Sequence, residues 1–145
     1  MDKEGLILKQ FFYKPMSKFG VRELARITKI DTKTVMKYLN ELTERKIIIK
    51  YKLKHSFPYY EANRLSINYR FEKSHILIRK IIESGLTEFI ENETKPTAIV
   101  LFGSISKGTY HEKSDIDIFV QAKYKRLDLS KFESKTKHKI SILFE

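Results

Sequence analysis

The stretch from Thr97 to Val120, TAIVLFGSISKGTYHEKSDIDIFV, constrains the chain more than any other. A short β-branched apolar run, Ala98 to Phe102, ends in Gly103-Ser104. A polar connector containing Lys107-Gly108 then leads to Asp115-Ile116-Asp117, at the head of a second apolar run from Ile116 to Val120. The first run is β-branched and short, so it reads as a buried strand. The second begins with alternation, which puts its two aspartates at i and i+2 on one strand face, roughly 6.6 Å apart at Cα. Two carboxylates on one face can converge on one divalent cation, or on a pair of cations roughly 4 Å apart. The Gly-Ser turn at the end of the neighbouring strand offers backbone N–H groups and a hydroxyl to a phosphate. Metal and phosphate handles side by side fit a nucleoside triphosphate.

Composition sets the outer bounds. The chain has 145 residues, enough for one ordinary domain or two small ones, and 41% of them are hydrophobic, enough for a packed core. The absence of cysteine excludes disulfides, thiolate catalysis and cysteine-ligated zinc, and is compatible with a reducing cytoplasm. No apolar run approaches the roughly 20 residues that span a bilayer, and the first residues, Met1-Asp2-Lys3-Glu4, lack a signal-peptide pattern. A cytoplasmic protein without a membrane partner is therefore expected. The net charge of +11 points to a polyanionic partner. It is uneven: residues 1–65 carry 15 Lys and Arg against 7 Asp and Glu, and residues 66–145 carry 14 against 11.

The basic first half reads as three helices and a hairpin. Residues 4–13 place Leu6, Ile7, Phe11 and Phe12 at helical spacing and stop before Pro15. After a break at Phe19-Gly20, Val21 to Thr28 forms a short amphipathic helix. Asp31 then serves as N-cap for a helix over Thr32 to Arg45, with Val35, Leu39 and Leu42 on one face. Ile47 to Lys54 alternates, with Ile49, Tyr51 and Leu53 on one side and Lys50, Lys52 and Lys54 on the other, and Tyr59 to Ala62 returns after a turn. This order resembles the winged helix-turn-helix of many transcription regulators. The resemblance implies that Thr32 to Arg45 is a recognition helix for double-stranded DNA. Thr32, Lys33, Thr34 and Lys37 would then meet base edges, and Arg22, Lys50, Lys52 and Lys54 would meet phosphates.

Residues 66–95 read as linker helices, Asn68 to Gly85 with an apolar stripe of Phe71, Ile78, Ile81 and Ile82, then Leu86 to Glu93. Beyond Val120 a lysine-rich connector, with a helical turn around Leu127 to Phe132, leads to a third strand at Ile140 to Glu145. The expected fold is α+β: a winged helix-turn-helix over 1–65, the linker over 66–95, and a small mixed sheet with helices over 96–145. The stripe at Phe71, Ile78 and Ile82 and the terminal strand both need cover, which a twofold homodimer would supply.

Gly103-Ser104, ten intervening residues and Asp115-Ile116-Asp117, with Lys107-Gly108 and Ser114 between, resemble the signature of the DNA polymerase β-like nucleotidyltransferases. The likeness is strongest to the minimal nucleotidyltransferases of archaea and bacteria. Arg22-Glu23-Leu24-Ala25-Arg26, Glu83-Ser84-Gly85 and Leu101-Phe102-Gly103-Ser104 resemble an archaeal group that fuses a winged helix to such a domain. The resemblance implies Mg²⁺-dependent attack by an acceptor hydroxyl on the α-phosphate of a nucleoside triphosphate, ATP first among them. Asp115 and Asp117 would be the catalytic metal ligands, and Gly103, Ser104, Lys107 and Ser114 the nucleotide-binding residues. Some minimal nucleotidyltransferases are antitoxins that adenylylate a partner toxin, so a protein acceptor is also implied. The family's third carboxylate aligns with Ser141, which leaves Glu145, on the same face but roughly 13 Å further along the strand, as the candidate third acid. Two readings stay open: a transferase coupled to a DNA-binding module, and a DNA-binding transcriptional regulator whose second module senses nucleotide or is inactive.

Overall fold

The computed structural model describes residues 2–145. It is a mixed α+β structure with seven helices among the described residues, a two-stranded sheet and a three-stranded sheet. The chain divides into two compact units, one ending at Arg70 and one beginning at Phe71. Among the described residues no helix is long and apolar enough to cross a membrane.

The first unit contains α1 (Lys3–Tyr13), α2 (Val21–Thr28), α3 (Thr32–Glu44), β1 (Ile48–Tyr51) and β2 (Tyr59–Ala62). Asp2 caps α1 by accepting from the Gly5 N–H at 2.7 Å. Asp31 caps α3 by accepting from the Thr34 N–H at 2.9 Å and the Thr34 hydroxyl at 2.7 Å. These bonds hold the Asp31 carboxyl below its ordinary value, so the cap weakens as pH falls through the carboxylate range. β1 and β2 pair antiparallel from Ile48↔Ala62 to Tyr51↔Tyr59, and an isolated bridge joins Phe19 to Tyr60. Ile7, Phe11, Phe12, Leu24, Val35, Leu39, Leu42, Ile48 and Tyr60 are buried in this unit, and the Tyr69 hydroxyl donates to the Phe11 carbonyl at 3.0 Å.

The alternation expected through Lys54 stops earlier. Strand pairing ends at Tyr51, and residues 51–57 are all exposed, Tyr51 and Leu53 included. Its apolar and lysine positions are thus exposed alike, and the alternation separates no inner face from an outer one.

The second unit holds α4 (Ile67–Glu83) from Phe71 onward, α5 (Leu86–Thr94), β3 (Ala98–Phe102), α6 (Gly103–Lys107), β4 (Ile116–Gln121), α7 (Ser130–Thr136) and β5 (Ile140–Phe144). The strand order is β3-β4-β5, with β3 antiparallel and β5 parallel to the central β4. Its core joins Leu77, Ile81, Leu86, Ile90, Ile105, Ile116, Ile118, Val120 and Phe132. The buried line of α4 is Tyr69, Lys73, Leu77 and Ile81, spaced by four, which corrects the expected stripe: Phe71 and Ile82 are exposed and Ile78 is half-buried. A lysine on the inward line hid that periodicity, because its stem packs like an apolar side chain.

Leu39→Ala empties a fully buried position in α3 and is expected to cost the first unit about 2–5 kcal/mol in denaturant unfolding. A loss below about 1 kcal/mol would show that α3 is not packed as described.

Candidate active site

β4 lies between the other two strands, so Asp117 and Phe119 each have a neighbour on both sides. Burial alternates along it: Ile116, Ile118 and Val120 point inward, while Asp117, Phe119 and Gln121 point outward. The register arranges the outward face in rows. Phe102, Asp117 and Ser141 form one row, Val100, Phe119 and Leu143 the next, and Ala98 and Gln121 begin the third. Neighbouring strands stand about 4.8 Å apart. Asp115 and Lys139 immediately precede β4 and β5, and the Ile116 N–H donates to the Lys139 carbonyl at 2.7 Å. This bond continues the ladder and makes Asp115 and Lys139 neighbours at its open end.

Gly103 opens α6 with φ +75°, a left-handed conformation that side chains rarely adopt. A Cβ there would collide with Oδ2 of Asp117 and stand 3.3 Å from its Cγ. The Asp117 carboxylate therefore rests on the bare Cα of the Gly-Ser turn. Ser104 follows at once, half-buried, its carbonyl accepting from the Thr109 N–H at 3.0 Å. Lys107 is exposed in the last turn of α6, and Gly108, at φ +68°, ends the helix.

Ser114 is engaged within the connector: its hydroxyl accepts from the His111 N–H at 2.9 Å, and its N–H donates to the His111 carbonyl at 3.0 Å. Nδ1 of the exposed His111 accepts from the Lys113 N–H at 3.2 Å, so that histidine has a local turn role. Glu145 is two rows from Asp117, its N–H donating to the Val120 carbonyl at 3.1 Å. The structure thus does not bring Glu145 to the aspartates, and among the described residues no group of three His, Asp or Glu side chains is placed to share a cation.

One supporting residue escaped the sequence reading. His138 is buried, and its Nδ1–H donates to the Ser114 carbonyl at 2.7 Å, one residue before Asp115. Its ring meets Tyr110 edge-on at 5.9 Å, and the Tyr110 hydroxyl donates to the Lys73 carbonyl at 2.8 Å. The Lys73 ammonium lies 4.7 Å from the Tyr110 ring centre, and burial lowers its pKa to about 8. The Ser74 hydroxyl donates to the Ser106 carbonyl at 3.3 Å. The turn and the connector are thereby fixed from below. The signal for His138 was parity: it falls in the inward set with Ile140, Ile142 and Phe144.

In the first unit, Thr32, Lys33 and Lys37 are exposed on α3, whereas the Thr34 hydroxyl is taken by the Asp31 cap. Arg22 lies over the Phe57 ring at 5.9 Å. Lys50, Lys52 and Lys54 are exposed, with only Lys50 inside a strand.

Residues 84–144 match the family model described as Polymerase beta, Nucleotidyltransferase. The matched stretch, somewhat less than half of the chain, includes the Gly-Ser turn, both aspartates and Ser141, so over this span the chain is similar to a nucleotidyltransferase domain. No curated protein and no solved structure matches the chain.

Gly103→Ala is expected to push the Asp117 carboxylate aside and weaken Mn²⁺ binding, read by water-proton relaxation, by about tenfold or more with far-UV circular dichroism unchanged. Unaltered Mn²⁺ affinity would show that the close approach does not matter. Lys73 gives a pH test. Between its folded value near 8 and the ordinary lysine value of 10.5, the unfolded chain binds more protons. Stability from this group therefore rises with pH across that window, and Lys73→Met is expected to remove the rise. Parallel melting curves for wild type and variant from pH 7 to about 10 would contradict it.

Proposed function

We propose that the second unit transfers a nucleoside monophosphate from a nucleoside triphosphate, ATP first, to an acceptor, with Mg²⁺ held by Asp115 and Asp117. The observation that carries this reading is the seat of the Asp117 carboxylate on Gly103, which joins a cation ligand directly to a phosphate turn. The donor set suits the ion: Mg²⁺ takes hard oxygens, commonly one or two carboxylates, and draws its other ligands from water and substrate phosphates. Bound there, Mg²⁺ would polarise the α-phosphate and neutralise charge on the departing pyrophosphate. The chain supplies the positioning. Ser104 and the backbone after Gly103 hold the outer phosphates, and Lys107 adds positive charge one turn later. His138, through Ser114, fixes the corner that carries Asp115. The family-level match over residues 84–144 supports the same chemistry.

The first unit is read as a winged helix that binds double-stranded DNA. Its order of three helices, the Phe19–Tyr60 bridge and the β1–β2 ribbon supports this, as do exposed Thr32, Lys33 and Lys37 at the start of α3 and the exposed lysines after Ile49. Phosphate contacts would come from Arg22 and the ribbon lysines. Exposed Phe71 and Ile82 support a homodimer. In the alternative reading the DNA-binding unit is the effector, and the second unit only senses nucleotide.

Incubation with α-labelled triphosphates and Mg²⁺ separates these readings. Transfer of label, lost in Asp115→Asn and in Asp117→Asn, is the expected result; Mg²⁺-dependent binding with no transfer to any acceptor would make the unit a sensor. Unchanged nucleotide binding in both variants would remove the site. For DNA, affinity should fall steeply with salt. Replacing Lys50, Lys52 and Lys54 together by Ala should flatten that dependence, by about one unit of slope for each phosphate left without its lysine. Lys37→Ala should shift sequence preference instead. Absence of binding at low salt would remove the DNA reading.

A further inference from the structure

α4 carries large side chains on two sides. Tyr69, Lys73, Leu77 and Ile81 form its buried line. A second row looks out roughly opposite: Phe71, 66% exposed, then His75, half-buried Ile78, and Ile82, 60% exposed. At about 100° per residue these four share roughly 60° of arc, and their spacing of four, three and four is that of the a and d positions in a helix-pairing seam. The His75 ring stacks on Phe71 with centres 6.0 Å apart and planes 9° apart, and its Nε2 accepts from the Arg79 guanidinium at 3.0 Å. The row is thus ordered along the helix surface. Opposite charges flank it on one side only. Glu72 and Arg79 stand two turns apart on the same flank, and the other flank carries buried Ser74 and Ile81.

We infer that this row packs against the same row of a second copy of the chain, antiparallel, about a twofold axis passing between Ile76 and Leu77. The inference rests on the homodimer reading and names its surface and its direction. In this arrangement Phe71 lies level with Ile82 of the second copy and His75 with Ile78, and the twofold repeats each contact. A twofold perpendicular to both helices brings each charged flank against its own counterpart. Glu72 then stands about 3 Å along the axis from Arg79 of the second copy, and the pair occurs twice in the dimer. A carboxylate accepts several hydrogen bonds, so this contact displaces no other partner of Glu72. A parallel pair would set Phe71 on Phe71 and turn the charged flank toward Ser74 and Ile81, where no opposite charge meets it. Charge complementarity therefore selects the antiparallel direction.

Sedimentation equilibrium of the full chain at about 100 µM is expected to show a dimer. Ile82→Glu sets a charge against Phe71 of the second copy and should weaken dimerisation about 100-fold, with far-UV circular dichroism unchanged. Glu72→Arg alone and Arg79→Glu alone should each weaken it about tenfold. The double variant should recover the wild-type affinity to within about threefold, and an equimolar mixture of the two single variants should form heterodimers. The chain has no cysteine, so oxidation reads the direction. A mixture of Phe71→Cys and Ile82→Cys is expected to give the mixed disulfide, and neither variant alone should cross-link. A dimer that Ile82→Glu leaves intact overturns the inference, as does a lack of recovery in both the double variant and the mixture. So does cross-linking of Phe71→Cys with itself; in all three cases the homodimer reading stands. A monomer at that concentration removes both.

Discussion

The second unit is organised around the contact between a carboxylate and a residue with no side chain. Asp117 sits across from Phe102 in the β3–β4 register, and the residue after Phe102 turns into the left-handed region so that α6 can begin. Only glycine gives the backbone that freedom and leaves the space that the carboxylate fills. Much else follows. β3 must end where it does, α6 must leave the sheet at that angle, and Ile105 must swing into the core to hold the turn down. The site thus depends less on which groups are present than on a close approach that one added methyl group would abolish.

Behind this contact lies a polar layer that is uncommon in so small a core. Lys73, Tyr110, His138 and Thr136 are all buried, and hydrogen bonds to main-chain carbonyls at Lys73, Ser114 and Phe132 tie three of them down. Such groups cost desolvation, which satisfied hydrogen bonds offset. They also fix the direction of the connector, which an apolar filling would leave to slide. Lys73 shows the strain in the arrangement, since burial works against its charge.

Much of this was legible beforehand, for identifiable reasons. The strands at Ala98–Phe102 and Ile116–Gln121 announced themselves by short apolar runs between turn residues, and the Asp-x-Asp pair stated its own face. The positions that were missed are those where a residue type contradicts its location. Lys73 occupies an inward place on α4, so the apolar residues trace a stripe of Phe71, Ile78, Ile81 and Ile82, of which only Ile81 lies on the buried line. His138 lies in a lysine-rich tract that reads as solvated, yet it faces the core. The ribbon after Tyr51 reads as two-faced because its letters alternate, although residues of both sets are exposed. Periodicity reports a pattern of residues; only packing partners turn that pattern into burial.

The outward face of β5 owes its identity to counting. Lys139, Ser141 and Leu143 look out because His138, Ile140, Ile142 and Phe144 look in, and in a strand the two sets exchange with any shift of one residue. The stretch from Lys123 to Leu129 has no such parity, because it belongs to no strand or helix. A deletion there shortens a loop. A one-residue deletion between His138 and Ser141 would invert the strand beyond it, presenting Ile142 to Asp117 in place of the serine hydroxyl and turning Ser141 and Leu143 toward the core. The chemistry beside the aspartates is therefore protected by an odd-even rule, and drift in length is tolerated on one side of α7 and forbidden on the other.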